Sequence, residues 1–459
     1  MALVTATEAR LLRLIRSGYG DASTPRYSRS AAIERGEARL GRMRALLRAA
    51  GNPQLQYPVI QVAGTSGKGS TAQLIGSMLK ACGLKVGLHQ TPYLQSPTEK
   101  LVLGKKLASA EEFAASTDWL FAAAGKMCQR DPGFELRYGS AWVTLTFGHF
   151  ARAEPDFLVL ECGAGARYDL TNVTEPEVSV ITRVGLDHQA TLGGSVAEIA
   201  WHKAGIARAG RPLVTIAQGD QIDAVIEDEC ARVGARLKRL REGTDWVVSR
   251  GGGRTSFTYR GKTLRLGPVE LGDGAWQAEN AALACGAVEE ILAGVSVLDI
   301  DAMACSLART RLQGRLELAS KRPLVILDGA HNPQKSAALA RTLPGIVGRR
   351  KLVAVLGVMG YKKAKEVLEP IAAAADEVVF TQADVYVKRA YPARDLMELV
   401  GVENARAIAD PNEALRSAIG MAGPDGAVCV TGSLYLVGRV RERWWPTDRI
   451  VSQRTPWPD

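Results

Sequence analysis

Seven residues, Gly64-Thr65-Ser66-Gly67-Lys68-Gly69-Ser70, constrain this chain more than any others. They follow the mostly apolar run Val59-Ile60-Gln61-Val62-Ala63 and precede Ile75, Met78, Leu79 and Cys82. That i, i+3, i+4, i+7 spacing marks one face of an α-helix, which Gly83 ends. An apolar run over 84–88 returns the chain as a second strand. Strand, glycine-rich turn, helix and strand make a crossover unit, and such units build parallel sheets covered by helices on both faces. Strands predicted at 157–160, 178–182 and 213–216, with helical stretches between them, extend the sheet.

Short alternating runs over 246–266, split by Gly251-Gly252-Gly253 and Arg260-Gly261-Lys262, predict a small antiparallel meander. Helices over 278–292 and up to Arg309 lead to a junction at Gln313-Gly314-Arg315. Beyond it, 324–327, 352–358, 377–381 and 428–431 read as strands alternating with helices. The expected class is α/β. A P-loop-type, mostly parallel sheet domain with a small antiparallel appendage occupies 1–312, including N-terminal helices at 6–17 and 34–50. A smaller Rossmann-like α/β domain occupies 313–459. Residues 444–459, rich in Pro and Trp, read as a tail.

A length of 459 residues gives room for two or three domains, and 46% hydrophobic with 23% charged residues is a globular balance. The net charge is +10, and ten arginines against four acids put +6 of it in the first 48 residues. That stretch lacks the aromatic interleaving of a nucleic-acid module, so no nucleic-acid partner is expected and anionic small ligands account for the charge. The seven cysteines are scattered without a CxxC pair, which suggests neither a zinc site nor a disulfide framework. No apolar run approaches the roughly 20 residues needed to span a bilayer. A cytoplasmic protein with no membrane partner is expected.

The glycines of the loop let backbone N–H groups curl around phosphate oxygens at a helix N-terminus, where the helix dipole favours an anion. Lys68 can reach the terminal phosphates and the Ser70 hydroxyl can sit on Mg²⁺. The spacing departs from the common GxxxxGK pattern, because its first glycine would fall on Val62. Glu161, at the end of the predicted strand 157–160 and followed by Cys162-Gly163-Ala164-Gly165, is a carboxylate where parallel sheets bind ligands. Asp187-His188 and Trp201-His202-Lys203 follow later strands and add titratable groups.

Taken in order, several motifs resemble the folylpolyglutamate synthase / dihydrofolate synthase family of the Mur ligase superfamily. They are GTSGKGS, ECGAGARYDLTN from Glu161 to Asn172, VSVITRVGLDH, IAWHKAGI, Trp276-Gln277-Ala278-Glu279-Asn280, QGR, LDGAHNP and TGSLYLVG, and they span the chain to Val437. The resemblance implies an ATP-dependent ligase of one-carbon metabolism. An acceptor carboxylate is phosphorylated to an acyl phosphate, which the amine of an amino acid, glutamate in that family, then attacks. It implies ATP held by Gly64, Thr65, Ser66, Gly67, Lys68, Gly69 and Ser70, with Asn280 at the adenine, Arg315 reaching the phosphates and Asp328 near the ribose. It also implies two Mg²⁺ sites, one at Ser70, Thr91 and Glu161, the other at His188 and a carbamylated Lys203. Lys68, His188 and Lys203 are the catalytic candidates, and His331 and Ser433 the residues at the incoming amino acid. The implied protein is a monomer whose partners are a small carboxylate acceptor and an amino acid.

Departures from the family pattern gather on the acceptor side. The usual Ser-Pro-His is Thr91-Pro92-Tyr93, and Gly165-Ala166-Arg167-Tyr168-Asp169 carries an added methyl and ring. His202 and Trp276 replace a Glu and a His, and Tyr361-Lys362-Lys363 replaces Asp-Lys-Asp. The acceptor candidates are therefore Tyr93, Arg167, Tyr168 and Asp169, with an unusually acidic acceptor expected beside Arg26, Arg29 and Arg35. A folate and a non-folate carboxylate both stay open as acceptor. An inactive nucleotide-binding homologue is disfavoured, since Lys68, Ser70, Glu161, His188 and Lys203 are all present.

Overall fold

The computed structural model describes residues 1–15, 27–251, 254–271, 277–294, 298–382 and 389–459. Arg26 and Trp276 lie outside them. The chain forms two compact units, Met1–Tyr93 with Pro97–Thr310, and Leu94–Ser96 with Arg311–Asp459.

The first unit carries strands β1 (Val59–Ala63), β2 (Val86–His89), β3 (Val102–Leu103), β4 (Lys106–Leu107), β5 (Phe157–Glu161), β6 (Val178–Ile181), β7 (Pro212–Ile216) and β8 (Arg236–Leu240). They form one sheet in the order β4-β3-β2-β5-β1-β6-β7-β8, parallel from β2 to β8 and antiparallel at the β3–β4 edge. β1 and β7 are buried along their whole length, so they are mostly apolar without alternation. On one face Ile60, Val62 and Val180 pack against Ile75, Met78 and Leu79 of the helix Lys68–Ala81 and against the helix Gln277–Ile291. On the other, Ile181 and Leu213 meet Ile199 and Ile226 of the helices Val196–Ala204 and Asp220–Val233.

The meander is a three-stranded antiparallel sheet of β9 (Trp246–Gly251), β10 (Arg254–Arg260) and β11 (Arg265–Leu271). Buried Trp246, Phe257 and Tyr259 join the same core cluster as the helices Lys68–Ala81 and Gln277–Ile291. Glu289 fastens it, accepting from Lys238 Nζ, Tyr259 Oη (2.8 Å), Thr263 N (2.6 Å) and Leu264 N (3.1 Å).

At the N-terminus the helix is Ala2–Leu12, earlier than the 6–17 expected, because Val4, Thr7 and Leu11 are the buried stripe while Leu14 falls in a turn. The next helix, Arg29–Ala49, buries Gly36, Leu40, Met43, Leu46 and Leu47 and exposes Arg35, Arg39, Arg42, Arg44 and Arg48.

The second unit holds β12 (Glu317–Lys321), β13 (Leu324–Leu327), β14 (Leu352–Leu356), β15 (Glu377–Phe380), β16 (Ala405–Ala407) and β17 (Ala427–Thr431), in the order β12-β13-β17-β14-β15-β16. All pairs are parallel except β12–β13, and each sheet face has its own apolar cluster. Residues 444–459 are not a loose tail. The helix Thr447–Gln453 buries Ile450 and Val451, and Trp457 is hydrogen-bonded to Glu317, because this stretch has apolar and aromatic groups to dock. Among the described residues no helix is long and apolar enough to cross a membrane.

Candidate active site

The glycine-rich loop leaves the end of β1 and is stitched to the chain after β6. Thr65 N and Ser66 N donate to Arg183 O (2.9 and 3.1 Å), Thr65 Oγ1 donates to Gly185 O (3.0 Å), and Thr182 Oγ1 donates to Ser66 O (2.7 Å). Two glycines are required by geometry. At Gly64, φ +143°, a Cβ would fall 1.9 Å from Thr182 Oγ1, and at Gly67, φ +93°, it would fall 2.3 Å from Asn280 Oδ1. The amides of Thr65 and Ser66 are thus engaged within the protein. Among the described residues no side chain caps the helix Lys68–Ala81, and its N-terminus suits an anion. Among the described residues the buried Ser66 hydroxyl, a polar atom at the same loop, has no protein partner. Lys68 Nζ folds back onto Gly64 O at 3.2 Å. Asn280 accepts from Thr71 Oγ1 (3.2 Å) and donates to Gln277 Oε1 (3.1 Å), so in this structure it braces the loop.

Glu161 ends β5 beside this helix start. Its Oε2 accepts from Thr91 N (3.1 Å) and lies 3.3 Å from where a Cβ on Gly69 would be, so the bare Gly69 leaves the space that the carboxylate fills. Gln90 Nε2 donates to Gly69 O at 2.6 Å. The Gln90-Thr91 segment therefore joins Gly69, the residue before Ser70, to the Glu161 carboxylate. Ser70, Thr91 and Glu161 are hard oxygen donors of the kind Mg²⁺ takes. Among the described residues no group of three or more His, Cys, Asp or Glu could hold a metal unaided.

Lys203 sits at the end of the helix Val196–Ala204, begun by a capping box of Ser195 and Glu198. The residue is 2% exposed, and burial, then the Lys68 charge, pull its pKa from 10.5 down to about 7. The carboxylates of Asp187 and Asp169 oppose that pull. His188 is exposed with φ +52° at the start of the short helix Gln189–Leu192.

The expected acceptor residues divide. Arg167 turns into the protein: Nη2 pairs with Glu229 (2.7 Å), Nε and Nη2 donate to Trp201 O (3.1 and 2.9 Å), and its guanidinium lies 4.1 Å from the Trp201 ring centre. Asp169 Oδ1 accepts from Thr171 N (3.0 Å) and Oγ1 (2.6 Å), which closes its own turn. Tyr168 lies against Gly36, with Trp201 and His202 at ring distances of 6.2 and 6.1 Å. Tyr27 Oη is 3.1 Å from His202 Nε2, and Arg29 stands 4.1 Å from the Trp201 ring centre. Burial and then the charges of Arg167, Lys203 and Arg29 push the His202 pKa down to about 4. Tyr93 donates to Glu8 and has Lys100 Nζ 5.6 Å from its ring centre.

In the second unit Asp328 and His331 follow β13, Ser433 follows β17, and Arg315 precedes β12. Asp328, just past β13, accepts from Leu316 N (2.9 Å) and Ala330 N (2.8 Å); burial raises its pKa against the nearby Arg315 charge. Arg315 Nη1 donates to Gly314 O (3.1 Å). His331 Nδ1 lies 2.8 Å from Gly329 O and Nε2 3.4 Å from Lys335 Nζ; burial, then Lys335 and Lys362, hold its pKa well below 6.5. Ser433, after β17, accepts from Tyr435 N (3.2 Å) and caps the helix Leu434–Arg441. Sequence reasoning missed Gln90, Thr182 and Arg183, which lie inside or beside quoted motifs, and Glu317, which no motif marks.

A phosphate loop on a parallel sheet, a strand-end carboxylate beside it and a second α/β unit define a nucleotide-handling protein of Mur ligase type. Residues 314–434 match the family model described as Mur ligase, glutamate ligase domain. The dihydrofolate synthase/folylpolyglutamate synthase of Bacillus subtilis is 31% identical over 410 residues, covering 88% of this chain and 94% of that protein. The folylpolyglutamate synthase of Lacticaseibacillus casei is 31% identical over 409 residues, covering 87% and 93%. The structure of Mycobacterium tuberculosis folylpolyglutamate synthase complexed with ADP superposes with TM-score 0.84 at 28% identity, covering 96% of this chain and 98% of that one. The chain belongs to the folylpolyglutamate synthase / dihydrofolate synthase family of Mur ligases.

Proposed function

We propose that the protein is an ATP-dependent, ADP-forming ligase that joins glutamate to the carboxylate of a folate-type acceptor. One observation carries the reading: the phosphate loop and the Glu161 carboxylate are tied into one site through Gln90 and Thr91. The relatives' names supply the substrates, and the complexes of family members with ADP supply the nucleotide.

In the reaction an acceptor carboxylate oxygen takes the γ-phosphoryl group of ATP, giving an acyl phosphate and ADP. The glutamate amine attacks the acyl carbon, a proton is lost from nitrogen, and phosphate leaves as the amide forms. Lys68 and the helix N-terminus balance charge on the transferring group. Ser70, Thr91 and Glu161 would hold Mg²⁺, which when bound neutralises the phosphates and polarises the transferring group. Asn280 is assigned to the adenine side, Asp328 to the ribose, Arg315 to the phosphates, and His331 and Ser433 to the amino acid. A neutral Lys203 amine is nucleophilic enough to take CO₂, and the resulting carbamate, with His188, would supply oxygen and nitrogen donors for a second Mg²⁺. The protein acts as a soluble cytoplasmic monomer.

The test is ATP, Mg²⁺ and glutamate with dihydropteroate or tetrahydrofolate, followed by mass spectrometry. One new amide per ADP is expected. Steady ADP release that no acceptor changes, with no amide, refutes the reading. A second acceptor class, a non-folate carboxylate, is favoured by the layer of Tyr27, Tyr168, Trp201 and His202 beside Arg29. Amide formation with such an acid and none with either pterin would select it.

A further inference from the structure

The turn that carries Arg315 is shaped by two buried carboxylates, Glu317 at the start of β12 and Asp328 just past the end of β13. Leu316 has φ +48°, a left-handed conformation unfavourable for a branched side chain, and its N–H is held by Asp328 Oδ2 at 2.9 Å. Gly314 N donates to Glu317 Oε2 at 2.9 Å, and Gly329 N donates back to Gly314 O at 2.9 Å. Glu317 therefore fixes one end of the turn as Asp328 fixes the other.

Glu317 is itself held from the far end of the chain. Its side chain is 4% exposed and faces Arg441, whose side chain is 0% exposed. Arg441 Nε donates to Oε1 (3.2 Å) and Oε2 (3.0 Å), and Nη2 donates to Oε1 (3.0 Å). Trp457 Nε1 adds a donor to Oε1 at 2.6 Å, and Arg441 Nη2 also holds Pro456 O at 2.7 Å. The Trp457 ring lies 4.7 Å from the Arg311 guanidinium and 5.8 Å from that of Arg441. A carboxylate whose oxygens are this fully engaged cannot rotate without breaking a charged hydrogen bond.

We propose that Trp457 and Arg441 are positioning residues for Arg315. They lock Glu317, and Glu317 locks the Gly314-Arg315-Leu316 turn from which the guanidinium is aimed. The proposal rests on the reading that Arg315 meets the ATP phosphates. It assigns Arg441 and Trp457 a part in the reaction that acts through Glu317 and the Arg315 turn.

The test is a double-mutant cycle in the full-length protein with Trp457→Ala, Arg315→Ala and the pair, alongside Trp457→Phe, which keeps a ring on the guanidiniums and removes only the N–H. A loss of aim costs on the order of tenfold to 100-fold in rate. Trp457→Ala is expected to lower single-turnover amide formation by that factor while ADP affinity by calorimetry stays within about twofold, since aim and not nucleotide binding is disturbed. Trp457→Phe should melt within a few degrees of wild type and show a smaller loss of the same kind. In the Arg315→Ala background Trp457→Ala should cost nothing further. The same fold loss in both backgrounds overturns the positioning role, as does wild-type rate in Trp457→Phe and Trp457→Ala. Wild-type rate in Arg315→Ala removes Arg315 from the reaction and the proposal with it, a failure distinct from the other two.

Discussion

Replacing Lys203 by Met separates what the buried ammonium does for stability from what it does for activity. The fall from 10.5 to about 7 means that burying the charged form costs roughly 5 kcal/mol, at about 1.4 kcal/mol per pH unit. Below pH 7 the side chain is charged both folded and unfolded, and the whole cost bears on the folded state. Between pH 7 and 10.5 the folded state is neutral while the unfolded chain still binds the proton, so stability rises with pH and the cost fades, to roughly 2 kcal/mol at pH 9. Met has similar length and no charge. In CO₂-free, Mg²⁺-free buffer the stability of Lys203→Met relative to wild type should therefore be greater at pH 6 than at pH 9 by about 3 kcal/mol. For a unit of this size that is about 5 °C in melting temperature. Ligase activity should be lost at both pH values. A melting difference that does not change with pH, or one that grows toward pH 9, refutes the reasoning.

Glu161→Gln keeps an oxygen acceptor for Thr91 N but removes the charge, and should lower amide formation by about 100-fold or more with the circular dichroism spectrum unchanged; full activity sinks the metal-site assignment. Lys68→Ala should abolish amide formation, read by mass spectrometry, without loss of fold. Burial works to raise the Glu289 pKa, but Lys238, Tyr259 and the Thr263 and Leu264 amides outweigh it and hold it at about 2. Its contribution to stability is thus full above pH 4.5 and lost as pH falls toward 2, so Glu289→Gln should flatten the acid limb of a denaturation profile. A Cβ at Gly36 would fall 2.2 Å from Tyr168 Cγ, so Gly36→Ala should destabilise by about 1–3 kcal/mol and raise acceptor KM by displacing that ring.

Where burial on both faces wrote the sequence, the fold could be read from it: β1 is bounded as expected and β5 and β7 to within one residue. β8, Arg236-Leu237-Lys238-Arg239-Leu240, escaped because an edge strand carries charge, here answered by Glu289 and Glu290. β12 escaped because its Glu317 and Lys321 break any apolar run. At the site, the loop and Glu161 were legible because phosphate chemistry demands particular residue types in sequence order. The engagement of Arg167 with Glu229, and of Glu317 with Arg441, was not, since partners 62 and 124 residues apart leave no local pattern.

Leu94–Ser96 folds with the second unit although the rest of its neighbourhood in sequence folds with the first. Gln95 accepts from Arg441 Nη1 and donates to Trp445 O at 2.8 Å, and a Cβ on Gly438 would strike Leu94 O at 2.1 Å. No single scissor point can therefore dissect this protein into its two units. A fragment beginning at residue 311 would carry a buried guanidinium robbed of one acceptor and a bare groove along Gly438, and it would need a peptide equivalent to 94–96 supplied in trans to be whole.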